Sequence, residues 1–252
     1  VYMSGHNKWS SIKQKKGAAD AKRGQIFTRL VKEIILAAKA GGGDPDMNPR
    51  LRTAINTAKE NNMPKDNIER AIKRGTGEIE GAAYEEVIYE GYGHNGVGIV
   101  VEVMSDNKKR IVSELRHTFT KYGGNLAESG AVAWNFEQKG FMTVPAAGLE
   151  EDEFMMVALE AGAEDVELVD DNFEIYTSPS DFHTVISNLE KEGYPVHNAE
   201  LTRIPKNTVS VDDDTAEKLM RLIDSLEDLD DVQKVYANFE VSDEVMEKLS
   251  QA

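Results

Sequence analysis

The 252-residue sequence contains no cysteine, which excludes disulfides and every zinc site built on thiolates and fits a reducing compartment. Long hydrophobic runs are also missing. The longest, "LVKEIILAAKA" at 30–40, carries Lys32, Glu33 and Lys39 and is too short and too charged to span a bilayer. The N-terminal stretch is basic where a secretory signal needs an apolar segment, so a cytoplasmic location is expected. Positive charge is the scarcer sign, with 29 Lys and Arg against 45 Asp and Glu and a net charge of −16. What is present, 40% hydrophobic and 29% charged residues, suits a soluble globular protein. Its length calls for two or three domains.

The charges are segregated. Residues 1–75 hold 16 of the 29 cations and 7 of the 45 acids, leaving 13 and 38 for the remainder. The first segment therefore balances at +9 and the second at −25. Asymmetry of this size points to a polyanion-binding head on an acidic body. The acidic surface repels phosphates, which leaves the head as the expected nucleic-acid face.

The head reads as all-helical. Ile26, Phe27, Leu30, Val31, Ile34, Ile35 and Ala38 recur at the spacing of one helix face. "GGG" at 41–43 stops that helix. Asn48-Pro49 supplies an N-cap and first turn for a second helix with Leu51, Ile55 and Ala58 inward. Pro64 opens a third, with Ile68 and Ile72 inward and Gly75 as its stop. Helices this short need each other's apolar faces, so they form a bundle.

"GTGEIEGAA" at 75–83 reads as a linker, after which the period changes to strands. "EVIYEGYG" and "GVGIVVEV" form a hairpin; a helix follows in "KKRIVSELRHTFTKYGG", then a strand in "AVAWNFEQ". From 140 to 206 the succession is strand, helix, strand, strand, helix, strand, the split βαβ signature. A last helix and strand, "DDTAEKLMRLIDSLED" and "VQKVYANFE", complete the earlier pieces. The expected fold is thus α+β multidomain: an N-terminal helical bundle over 1–77, a discontinuous α+β domain over 84–138 plus 207–240, and a ferredoxin-like α+β domain over 139–206 inserted into it.

Several motifs carry no chemistry. "GYGHNG" at 91–96 has the G-x-G-x-x-G spacing but leads into a strand, whereas the dinucleotide fingerprint must lead into a helix. Its glycines fit turn positions needing positive φ. The histidines at 6, 94, 117, 183 and 197 lack ligand spacing. "DDD" at 212–214 fits the cap of the helix it precedes. No nucleophile, acid–base pair, metal site or cofactor motif emerges, and no small-molecule substrate is expected.

The opening stretch has what phosphate binding needs: Lys8, Lys13, Lys15, Lys16, Lys22 and Arg23 against the single acid Asp20. Trp9 admits two readings, a stack on a base or ribose, or a staple holding the arm on the bundle. Lys22, Arg23, Arg29 and Lys32 avoid the apolar stripe of the first helix. Arg50 and Arg52 open the second, where free amides add anion attraction. Basic composition alone does not separate RNA from DNA.

"GHNKWSSIKQKKGAADAKRGQIFTRLVKEI" and "GGGDPDMNPRLRTAINTAKENNMPKDNIERAIKRGTGE" resemble the N-terminal domain of the YebC family. The resemblance continues through "YEGYG", "GGNLAESGAVAWNF", "ALEAGAEDV", "AELTRIP" and "LMRLIDSLEDLDDVQKVYANFE", nearly the whole chain. It implies three domains and no enzymatic activity. Members of the family are described as transcriptional regulators that bind DNA, and others look like translation factors that act on ribosomes and relieve stalling at proline runs. The resemblance places nucleic-acid contact on Lys8, Trp9, Lys13, Lys15, Lys16, Lys22 and Arg23. The expected partner is the ribosome through its RNA, with double-stranded DNA as the alternative and no membrane. Against DNA stand the lack of an evident helix-turn-helix and of a heptad seam for dimerisation.

Overall fold

The computed structural model describes residues 20–241, with side chains from Gly24 onward. Helix α1 (Asp20–Gly41) packs on α2 (Pro49–Glu60) and α3 (Lys65–Gly75). Its apolar stripe meets theirs: Ile34, Ile35 and Ala38 bury against Leu51, Ile55, Ala58, Ile68 and Ala71. Asn48 joins two helix ends at once. Its Oδ1 accepts from the Leu51 amide at 3.1 Å, and its Nδ2 donates to the carbonyls of Ala37 and Gly42 at 2.8 Å each. One side chain thus satisfies orphan groups at the end of α1 and the start of α2.

Strands β1 (Glu85–Tyr92) and β2 (Gly98–Ser105) pair antiparallel. Helix α4 (Lys108–Lys121) follows, then the short β3 (Asn125–Leu126). Next come β4 (Phe136–Pro145), α5 (Glu151–Ala161), β5 (Asp165–Val169), β6 (Asn172–Thr177), α6 (Phe182–Lys191) and β7 (His197–Pro205). The chain then runs through β8 (Val209–Ser210), α7 (Asp213–Glu227), β9 (Val232–Ala237) and β10 (Phe239–Glu240). One four-stranded sheet has the order β3-β1-β2-β9 and so joins early and late segments of the chain; the other, β5-β6-β4-β7, uses the residues between them. Strand neighbours in both are antiparallel. Ile99, Val101 and Val103 of β2 pack under Ile111, Leu115 and Phe119 of α4 and Leu219, Leu222, Ile223 and Leu226 of α7. In the second sheet Met142, Val144, Phe173 and Ile175 meet Phe154 of α5 and Val185 and Leu189 of α6.

Three local expectations change. "AVAWNFEQ" is not a strand of its own: Ala133–Asn135 is a 3-10 turn, and Phe136 begins β4, which runs unbroken through the 138/139 boundary to Pro145. The glycine-broken pattern concealed that continuity, which pairing with β7 enforces from Phe136↔Pro205 onward. Of the glycines in "GYGHNG", only Gly96 has positive φ, next to Asn95 at φ 57°. Gly91 and Gly93 are close approaches instead, since a Cβ there would lie 2.5 Å from Phe119 Cζ and 2.6 Å from Leu219 Cδ2. Helix α3 does end at Gly75 as expected, but the left-handed residue is Gly77, two places on.

At Gly75 a Cβ would sit 2.4 Å from the Ile35 carbonyl oxygen and 2.7 Å from Ala38 Cβ. The neighbour is backbone and cannot rotate away. Gly75→Ala should therefore destabilise the chain by about 1–3 kcal/mol through overpacking, read as a lower denaturation midpoint, whereas Gly77→Ala meets no neighbouring atom and should cost only left-handed backbone strain, about 1 kcal/mol.

Candidate nucleic-acid interface

Helix α1 carries a second stripe beside its apolar one. Gln25, Arg29, Lys32 and Leu36 follow each other at helical spacing, and this face lies on the acidic segment that ends α7. Gln25 donates to the Asp228 carbonyl at 3.3 Å, and Arg29 donates to the Glu227 carbonyl. A helix C-terminus offers unsatisfied carbonyls and partial negative charge, so cations dock there favourably.

Lys32 goes deepest. Its Nζ donates to Asp231 Oδ1 and to the Asp230 carbonyl, both at 2.7 Å. The other oxygen of Asp231 accepts from Ser105 Oγ at 2.7 Å and from Arg110 Nη2 at 2.6 Å. Ser105 Oγ accepts in turn from the Asn107 amide, whose side chain caps α4. The Tyr84 ring lies 5.3 Å from Lys32 Nζ. Burial pushes the Asp231 carboxyl up, but hydrogen bonds from Lys32, Ser105 and Arg110 outweigh it and hold the group below its ordinary value.

Other cations of the head serve similar ends. Arg50 grips Glu33 of α1 through two hydrogen bonds, at 2.8 and 3.2 Å, and also pairs with Glu86 of β1. Arg52 reaches the Pro45 carbonyl at 3.4 Å and makes no ion pair among the described residues. The head also meets the second sheet: Thr53 Oγ1 lies 3.3 Å from His183 Nδ1, and Glu60 lies 3.5 Å from His197 Nδ1. Burial, then the charges of Arg52 and Arg50, push the His183 imidazole down.

The expected contact residues thus divide. Lys32, 4% exposed, is placed between head and body rather than on a ligand face, which corrects the expectation drawn from its avoidance of the apolar stripe. Arg29 and Arg50 are likewise turned to internal partners, and Arg52 stays half-exposed on α2. Lys8, Trp9, Lys13, Lys15 and Lys16 lie outside the described residues; Lys22 and Arg23 sit in the first turns of α1, with their side chains outside the description. The partners in the body were not foreseen. Asp231 had a signal in the acidic run "EDLDD" at 227–231, but only the fold brings it to Lys32, 199 residues away. Among the described residues no cluster of His, Asp and Glu could hold a metal, and no helix is long and apolar enough to cross a membrane.

Comparison with known proteins follows this division of the chain. Residues 7–78 match the model of the TACO1/YebC protein N-terminal domain, and residues 84–239 match that of the TACO1/YebC second and third domain. A "Probable transcriptional regulatory protein" of Desulfosudis oleivorans is 58% identical over 245 residues, covering 97% of this chain and all of that one. Proteins of the same name from Persephonella marina, 58% identical over 250 residues, and Dictyoglomus turgidum, 57% over 249, each cover 98% of this chain and all of their own. The crystal structure of a conserved hypothetical protein from Aquifex aeolicus superposes with a TM-score of 0.81 at 51% identity, covering 89% of this chain and 93% of that one.

Removing one partner of a buried ion pair strands the other. Lys32→Ala should lower stability by about 3–5 kcal/mol, measured by denaturant unfolding. Because the Asp231 carboxyl is depressed from 3.8, its contribution is complete above that value and is lost as the pH falls below it, toward the folded-state pKa. Asp231→Asn should therefore unfold less steeply with acid than the parent below about pH 4; equal acid sensitivity would remove the carboxylate from the account.

Proposed function

The chain belongs to the TACO1/YebC family, and from that premise we propose that it is a non-enzymatic, nucleic-acid-binding regulator of gene expression acting as a ribosome-associated translation factor in the cytoplasm. In this reading residues 1–77 contact ribosomal RNA and the protein relieves stalling, for example at proline runs. Residues 139–206 are a ferredoxin-like unit inserted into the domain formed by 84–138 and 207–240, and together these present the head.

The observation that carries the reading is the segregation of charge, +9 over residues 1–75 against −25 over the rest. The docking geometry sharpens it. Arg29, Lys32 and Arg50 are engaged inside the protein, so phosphate contact falls to Lys8, Lys13, Lys15, Lys16, Lys22 and Arg23, with Arg52 as a further contact and Trp9 as the stacking group. An acidic body steers a polyanion away from itself and toward the arm.

A second reading, a DNA-binding transcriptional regulator, is favoured by the names of the relatives. Among the described residues α1 is covered on two faces, by α2 and α3 and by the end of α7, so it is not placed as a groove-reading helix.

Replacing Lys13, Lys15 and Lys16 together by Ala should weaken RNA binding and flatten the slope of log affinity against log salt by about 2; an unchanged slope would take the arm out of the interface. Trp9→Ala should cost about 1–3 kcal/mol of RNA affinity if the indole stacks on a base, whereas a lower unfolding midpoint with intact affinity would assign it to the staple.

A further inference from the structure

The acidic body is not uniformly acidic. Of its 13 cations, five (Lys108, Lys109, Arg110, Arg116 and Lys121) lie on the single helix α4. At about 100° per residue, Lys109, Ser113, Arg116, His117, Thr120 and Lys121 fall on the arc opposite Ile111, Leu115 and Phe119. The buried arc holds the core; the outer surface, about 18 Å long, carries the five cations and one acid, Glu114.

The five cations differ in what they already do. Lys108 pairs with Glu85, and Arg110 pairs with Asp106 and Asp231. Lys109, Arg116 and Lys121 are exposed and form no ion pair among the described residues. Glu114 is the one acid within α4, and Arg110 faces it at 4.0 Å. Lys121 lies over the Tyr122 ring, 5.3 Å from its centre. The hydrogen bond with Ser225, then the charges of Lys121 and Arg221, hold the Tyr122 hydroxyl below its ordinary value.

The placement of this face relative to the head is equally definite. A cleft of about 590 Å³ separates α1 from α4, with Thr28 and Lys32 on one wall and Arg110 and Glu114 on the other. The Lys32–Asp231–Arg110 bridge closes its floor. Helix α4 therefore borders the head through Arg110 and Glu114, beside Asp106, Asp228 and Asp230, while Lys109 and Arg116 lie further round the helix.

We propose that the outer face of α4, through Lys109, Arg116 and Lys121, is a second phosphate-contacting surface that takes the sugar–phosphate backbone of the RNA engaged by the head. Charge complementarity favours a polyanion: Lys109 and Arg116 lie on one flank of the exposed surface of α4 and Lys121 on the other, and none forms an ion pair among the described residues. The inference rests on the RNA reading given above, and it revises the expectation that the head alone meets nucleic acid.

The test compares the full chain with K109E/R116E/K121E and with the neutral K109A/R116A/K121A, using deproteinised ribosomal RNA and a duplex DNA of about 30 base pairs across a salt series. Thermal melts report folding, and the Ala variant serves if charge reversal disturbs it. The expected result is salt-sensitive RNA binding by the parent, weakened about tenfold or more in the charge-reversed protein, with a salt slope smaller by about 2 in the Ala variant. RNA binding with the parental slope in both variants would overturn the α4 surface while leaving the translation reading intact. Failure of the parent to bind RNA, with or without binding to DNA, would overturn the translation reading and this inference with it.

Discussion

A buried ion pair fixes how this molecule is assembled. Lys32 and Asp231 keep 5% and 7% of their side-chain surfaces exposed, and taking two such charges out of water costs more than their attraction alone returns. The deficit is offset because each remaining polar atom is answered. Asp230 supplies a carbonyl to the ammonium, while Ser105 and Arg110 supply donors to the carboxylate. These contacts come from both sides of the junction, so the pair ties the head to the body while adding little to net stability. The exposed Arg50–Glu86 pair is screened by solvent and contributes less to that tie.

This constraint separates two kinds of positive charge. Arg29, Lys32 and Arg50 face inward, to the end of α7, to Glu33 and to Glu86, whereas Lys39, Lys59, Arg70, Lys73 and Arg74 of the head are exposed. The cations of the N-terminal arm are the ones proposed above for an external polyanion. The body follows the same division, with Arg110 built into the bridge and Lys109, Arg116 and Lys121 left outward. A net charge of −16 is thus compatible with binding nucleic acid, since the field near the contact surface matters and the total does not.

Much of the framework was legible in the sequence because its signals are local. The apolar stripe of α1, the Asn48 cap, the inward Ile111, Leu115 and Phe119, and the Asp212 cap of α7 each depend on residues within a turn or two. Gly75 and Gly91 were legible as special positions but not for the right reason, since their role is room for a neighbouring element and that element is distant in the chain. Lys32 shows the limit most clearly. A polar stripe on a helix has the same spacing whether it faces water or a second domain, and only the tertiary fold puts Asp231 opposite. The run of β4 through Phe136 was obscured in the same way, because the partner that holds it straight, β7, lies some 60 residues further on.

The central claim is that the segregated positive charge of this family member serves RNA on the ribosome. The most direct measurement is co-sedimentation of the full-length protein with ribosomes from lysate freed of DNA by nuclease, over a series of salt concentrations. The account predicts that the protein pellets with ribosomes at low salt and is released steeply as salt rises, as expected when several phosphates are neutralised at once. Its absence from the ribosomal fractions, with retention on duplex DNA instead, would contradict the account and leave transcriptional regulation as the function.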